Sequence, residues 1–257
     1  MKNPILAITS AGLILVTGCA LAQEEQVEYP PMQVVEGWTC KYLDGKGPED
    51  LAKANAAWNA WMDETDQQDY AAAIITPNLV GEFSFDFAWM GVAKTGTAFG
   101  VSSHMWMTQG DEVGRMFQET ITCDSHTAWV SMMVDTPDDD EADPDDTDFI
   151  LSISNCSIKD DHTFEDYMAA AEEWDAYAKE HGIKGVAWVW FPVAGEKNND
   201  YDFKVAGAED DFIELGENWQ KFMDGHWQKS SELFDDVVDC DISRVYTGEM
   251  IRNFDDE

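Results

Sequence analysis

Apolar and polar positions along the chain follow two rhythms in turn, and the succession occurs twice. Val34, Val35, Trp38 and Tyr42 mark a first strand that ends in the turn composition Asp44-Gly45-Lys46-Gly47. From Pro48 the period lengthens: Leu51, Ala54, Trp58 and Trp61 recur at helical spacing. Pro48 suits the first turn, where a missing N–H costs nothing, and Glu49 and Asp50 suit the positive helix end. Tyr70 to Ile75 reads as a short buried strand reaching Pro77, and Phe85, Phe87 and Trp89 alternate with Asp86, Ala88 and Met90 as a strand does. Thr95 to Gln109 predicts a helix broken at Gly110, Asp111 to Thr122 a second, and His126 to Val134 a last strand after Cys123.

Laying Cys40 on Cys156 brings Glu49-Asp50 onto Glu165-Asp166, Trp58 onto Trp174, Asp86-Phe87 onto Asp202-Phe203, and Gly91 onto Gly207. One inserted residue then brings Cys123-Asp124 onto Cys240-Asp241. An internal repeat sets the folding unit. In the second copy Thr163 caps a helix with Asp166 three residues on, Phe164, Tyr167, Ala171, Trp174 and Ala178 form its stripe, and Gly182 stops it. Val186 to Phe191 and Tyr201 to Ala206 read as strands, Trp188 and Trp190 sharing one face and Val189 taking the other. Asp210 to Asp224 and, beyond Gly225, His226 to Asp239 read as helices, and Ser243 to Tyr246 begins the last strand.

Each unit thus runs strand, helix, strand, strand, two-piece helix, strand, the βαββαβ order of a ferredoxin-like fold. The fold class is α+β, with repeats at 33–135 and 149–257. The tandem pair resembles the dimeric α+β-barrel superfamily, which implies a pseudo-twofold arrangement of two facing sheets with helices outside. Relatives of that architecture include haem-dependent and cofactor-free oxygenases. The chain also resembles secreted bacterial proteins, a likeness that transfers no functional residue.

Residues 1–22 read as an export signal, with Lys2, an apolar core from Ile5 to Val16, and Ala20-Leu21-Ala22 before Gln23. The apolar run is too short to span a membrane. Val16-Thr17-Gly18-Cys19 resembles a lipoprotein box, so lipidation of Cys19 and an outer-membrane anchor are the alternative to cleavage into the periplasm or medium. An extended acidic arm, 23–32, follows. The four remaining cysteines, Cys40, Cys123, Cys156 and Cys240, sit at equivalent places and predict one disulfide per repeat. In a ferredoxin-like unit the first and last strands are neighbours, which agrees with that pairing.

Charge narrows the partners. Asp plus Glu number 52 against 15 Lys plus Arg, a formal charge of -37, which excludes nucleic acid and anionic membrane surfaces. The densest acidic run, the linker 136–148, lacks the glycine and glutamate of an EF-hand, so it reads as a solvated spacer with weak calcium binding as the alternative. The cysteines lack zinc spacing, and no metal site is assigned.

Candidate chemistry is sparse. Asp86 and Asp202 are duplicated acids inside aromatic strands, general bases if they point into a barrel and strand-end acids otherwise. His104, beside Trp106 on a helix, is a candidate axial ligand or proton shuttle. The chain has 11 Trp, of which Trp89, Trp106, Trp188, Trp190 and Trp219 are candidates for an apolar pocket. No phosphate loop, nucleophile elbow or zinc-protease motif occurs, and no cofactor is required. The leading expectation is a secreted, non-catalytic binding protein for a small apolar or aromatic ligand. The alternatives are an oxygenase-like enzyme, haem-dependent or cofactor-free, and an acidic structural or calcium-dependent surface protein.

Overall fold

The computed structural model describes residues 30–135, 147–195 and 200–254. The export signal with Cys19, most of the acidic arm and linker residues 136–146 lie outside the described residues, as does any calcium binding there.

Repeat 1 runs β1 (Met32–Tyr42), α1 (Pro48–Glu64), β2 (Tyr70–Leu79), β3 (Phe87–Ala93), α2 (Gly96–Gln109), α3 (Asp111–Gln118) and β4 (Ile121–Asp135). Repeat 2 runs β5 (Asp148–Ile158), α4 (Phe164–Glu180), β6 (Val186–Ala194), β7 (Phe203–Glu209), α5 (Phe212–Lys221), a π turn at Phe222–His226, α6 (Trp227–Phe234), β8 (Val238–Cys240) and β9 (Arg244–Arg252). Local chemistry sets these boundaries. Pro48 opens α1 behind Gly47, and Thr163 and Asp166 form a reciprocal capping box on α4.

Two strands begin later than the alternation of the sequence predicts, for one reason. Asp86 donates its backbone N–H to Cys40 O at 2.8 Å and its Oδ2 accepts the Tyr42 N–H at 2.9 Å. Asp202 repeats this with Cys156 O at 2.9 Å and the Ile158 N–H at 2.8 Å. These paired acids fasten a strand end. The last strand of repeat 1 in turn begins before Cys123, because Cys123 pairs with Cys40 across β1 and β4.

Strand order within repeat 1 is β4-β1-β3-β2, and within repeat 2 β9-β5-β7-β6. All neighbours are antiparallel. The two sheets join edge to edge through β2–β9 and β4–β6, which closes an eight-stranded barrel, with β8 a short addition beside β5. Closure removes the exposed edges that would otherwise invite pairing with other chains.

Alternation along each strand separates two layers. The barrel interior holds Val35, Ala73, Ile75, Leu151, Trp190 and Ala206, with Trp129, Trp188, Met90 and Tyr246 packed against them. The outer face of each sheet packs under its own helices: Trp58, Met62, Tyr70, Ala72 and Ala93 in repeat 1, and Tyr167, Ala171, Val189 and Phe203 in repeat 2. Disulfides join Cys40 to Cys123, between β1 and β4, and Cys156 to Cys240, between β5 and the short β8 that precedes the last strand. Bridging loops of this length contributes about 4 kcal/mol where the unfolded chain is restricted.

The repeats also exchange side chains. Arg252, at the end of β9, donates to Tyr70 O at 3.1 Å, Asp63 Oδ1 at 2.7 Å and Gln67 O at 3.2 Å, so the last strand of repeat 2 pins the α1–β2 turn of repeat 1. Two outcomes follow. A chain cut at a protease site engineered between Asp140 and Glu141 should elute as one particle until denatured, because β2–β9 and β4–β6 hold the halves together; separation of native halves on size exclusion would contradict the closed barrel. Arg252→Ala should cost about 2–3 kcal/mol in urea unfolding, since a buried guanidinium is removed and two carbonyls lose their donor.

Candidate active site

The outward, helix-facing side of β1 carries Val34, Glu36, Trp38 and Cys40, as period two requires. Three of these belong to an apolar layer. Glu36 does not, and its side chain is only 11% exposed. Register brings partners to it: Glu36 lies opposite Ala128 and Gly91, and Trp38 opposite His126 and Trp89. Tyr70, opening β2, reaches the same point over Gly91, where any side chain would overlap the phenol hydroxyl.

One carboxylate therefore accepts from two side chains. The Tyr70 hydroxyl donates to Glu36 Oε1, and His126 Nε2 lies 2.5 Å from Oε2. Trp38 stacks on the imidazole with ring centroids 3.6 Å apart at 13°. The His126 side chain is 39% exposed, so the ring meets both the carboxylate and solvent. Burial, with the Glu36 charge and hydrogen bond added, pushes the Tyr70 hydroxyl well above the ordinary tyrosine range. Tyr70 thus stays a neutral donor. In the tautomer that gives Nε2–H to Glu36, Nδ1 is the ring nitrogen that carries the lone pair. Such a carboxylate-oriented imidazole is built for proton transfer.

Repeat 2 is an internal control. By strand register Ser152 stands for Glu36, Ser154 for Trp38 and Val205 for Trp89. Extending the β6–β7 and β5–β9 registers by one residue puts Gly185 in the place of Tyr70 and Ser243 in that of His126. The same fold thus forms without any member of the cluster. Repeat 1 also holds three buried polar atoms without a hydrogen-bond partner among the described residues, Trp89 Nε1, Asn55 Oδ1 and Asn59 Oδ1. Such orphans call for an explanation, a bound ligand among them.

The sequence-derived candidates occupy other places. Asp86 and Asp202 bind backbone N–H groups at strand ends. His104 is exposed on α2. The five tryptophans line no common pocket: Trp188 and Trp190 are in the barrel interior, Trp89 and Trp106 under the repeat 1 helices, and Trp219 is half exposed on α5. Glu36 and Tyr70 were missed, although a charge on an otherwise apolar strand face marked the first, and its replacement by Ser152 in the twin marked it again.

A second, half-buried acid lies in repeat 2. Glu209 stands where repeat 1 has Ala93, and its Oε2 has no partner among the described residues. Burial pushes this carboxyl up to about 7; nearby Glu214 adds to the rise and the Asn218 hydrogen bond opposes it. Between the ordinary glutamate value and about 7 the folded chain keeps a proton that the unfolded chain has released. Stability should therefore fall as pH rises through that window, by at most about 3 kcal/mol, and stay lower above it. Glu209→Gln should flatten this slope in urea titrations between pH 5 and 8, and an unaltered slope would remove Glu209 as its source. Glu36→Ala, which leaves the Tyr70 hydroxyl buried and unpaired, should cost about 1–3 kcal/mol and lower the Tyr70 ionisation seen by near-ultraviolet absorbance; an unmoved tyrosine titration would count against the contact.

No family model and no curated protein matches the chain. Solved structures do. A candidate monooxygenase from Lactobacillus acidophilus NCFM aligns with TM-score 0.53 and 11% identity over 87% of this chain and 95% of that chain. Chlorite dismutase from Candidatus Nitrospira defluvii, in complex with imidazole, aligns with TM-score 0.51 and 10% identity over 85% and 92%. A candidate chlorite dismutase aligns with TM-score 0.52 and 10% identity over 85% and 94%. The expectation of a non-catalytic binding protein is overturned: these neighbours are named for chlorite dismutase and monooxygenase chemistry, and the five tryptophans line no common pocket.

Haem, which the architecture implies for some relatives, needs an axial ligand aimed into an apolar slot. All five histidines are among the described residues, and none is placed so. His104 is exposed, His126 is held by Glu36, His162 lies beside Asp166, and His181 and His226 pack on Tyr177 at an outer helix contact. The barrel interior is filled by indoles and aliphatic side chains. The residues present do not fit haem. What the topology and its structural neighbours do establish is that this chain has the dimeric α+β-barrel fold, with both halves of the barrel supplied by one polypeptide.

Proposed function

We propose that the chain is an exported, oxygenase-like enzyme in which His126 takes a proton from an acidic aromatic substrate and dioxygen is the oxidant. The observation that carries this reading is the Glu36 carboxylate held between the Tyr70 hydroxyl and His126 Nε2, in a repeat whose twin dispenses with all three. The neighbours named for monooxygenase and chlorite dismutase chemistry support the class, and two disulfides agree with an oxidising compartment outside the cytoplasm.

His126 Nδ1 accepts the substrate proton, and the adjoining Glu36 charge stabilises the imidazolium. Tyr70 holds the second carboxylate oxygen and Trp38 fixes the ring plane. The substrate class is a phenol or an aryl ketone with an activated methylene, whose anion is electron-rich enough to reduce dioxygen. For a methylene the balance is CH₂ + O₂ → C=O + H₂O: two C–H bonds break, a carbon–oxygen double bond forms, and the second oxygen leaves as water.

Oxygen uptake by the mature protein on a panel of hydroxyaryl ketones and phenols tests this. The expected result is turnover that falls about 10²–10⁴-fold in His126→Gln. Equal uptake by wild type and His126→Gln on every turned-over compound would overturn the assignment.

A further inference from the structure

A pair of imidazoles lies away from Glu36, where the C-terminal end of α4 meets the turn between α5 and α6. The His181 and His226 rings have centroids 4.8 Å apart at 63°. His181 Nδ1 is 2.8 Å from the Tyr177 carbonyl oxygen, and its ring stacks on the Tyr177 phenol at 4.1 Å. His226 Nδ1 is 2.7 Å from the Tyr177 hydroxyl. One tyrosine therefore engages both Nδ1 atoms, leaving each Nε2 as the nitrogen open to a ligand. Metal-binding imidazoles are held this way, the far nitrogen fixed by a hydrogen bond that sets the tautomer. Two imidazoles on one ion, each nitrogen about 2.0–2.1 Å from it, have centroids roughly 5 Å apart.

The backbone is bent to make this contact. The α5–α6 helix pair is joined by the five-residue π turn Phe222–His226, in which Gly225 takes φ 118, a conformation that L side chains rarely adopt. Repeat 1 shows what the joint needs for packing alone. There Trp61 meets Trp106 edge to face at 5.7 Å, and the break at Gly110 has an ordinary φ of -83. Tyr177 and His181 stand where repeat 1 has Trp61 and Thr65, and His226 follows Gly225, the break that answers to Gly110, so the imidazole pair is an addition to a joint that indoles already close.

Among the described residues no third histidine, cysteine or carboxylate completes a ligand set. The pair therefore defines an open site. We propose that His181 and His226 bind one divalent transition-metal ion, copper(II) foremost, through their Nε2 atoms, with water in the remaining positions. Imidazole suits copper and zinc, and copper(II) heads the affinity order for a given site. This site is independent of the oxygenase reading.

Copper(II) titrated into the full chain, with calcium in excess to occupy surface carboxylates, supplies the test by electron paramagnetic resonance. The expected result is one tight equivalent with hyperfine structure from two nitrogens. His181→Gln and His226→Gln, which keep a polar side chain of similar length, should each weaken it at least about tenfold, whereas His104→Gln should leave it unchanged. An all-oxygen copper spectrum, wild-type affinity in both variants, or an equal loss in His104→Gln would overturn the site. Circular dichroism of each variant separates lost ligation from lost folding: a folded variant that no longer binds supports the site, and a folded variant that still binds refutes it.

Discussion

Neither four-stranded sheet can end at its own edge, and the rest of the molecule depends on how that constraint is met. β2 finds β9 and β4 finds β6, so each repeat completes the other's sheet and the inner faces close on one shared core. Closure fixes register, and register fixes everything placed upon it. A shift of one residue in β1 would turn Glu36 and Trp38 into the barrel and Val35 out of it. The disulfides and Arg252 fasten this arrangement at its ends, where unpaired strand termini would fray first.

Duplication then freed the two halves to differ. Both keep the same fastenings: a cystine from the first strand to the chain that enters or precedes the last, the aspartate that fastens the third strand, and the glycine opposite the first. Away from these the repeats part. Repeat 1 fills its helix-facing layer with a carboxylate, a phenol, an imidazole and indoles, whereas repeat 2 has serine, glycine and valine at the same register. A buried carboxylate opposes folding unless its oxygens are satisfied, and at this register only repeat 1 carries one, with both oxygens bonded. That contrast carries more weight than the neighbours' names, whose 10–11% identity speaks to fold alone.

Much of the fold was legible because periodicity and self-comparison reinforce each other. Trp58 and Trp174 locate the first helices, Gly110 and Gly225 the broken second helices, and the paired cysteines the strands that must touch. The third strands were shifted because Asp86 and Asp202 alternate like strand residues while their carboxylates bind backbone outside the ladder. The candidate site was less visible. Glu36, Tyr70 and His126 are far apart in sequence and meet only through the β1–β4 and β2–β3 registers. A pairwise alignment of the repeats shows where they differ without showing that the differences converge. The five tryptophans misled for the opposite reason: they share chemistry but lie in three layers of the structure.

The most direct test of a functional rather than structural cluster is the stability of a chain from which all its polar members are removed together. Glu36→Leu, Tyr70→Phe and His126→Leu in one protein leave no buried group unpaired. If the cluster serves chemistry, urea unfolding should show stability unchanged or raised, by up to a few kcal/mol. A loss of about 3 kcal/mol or more would mean that Glu36, Tyr70 and His126 hold the fold together, and would contradict the account.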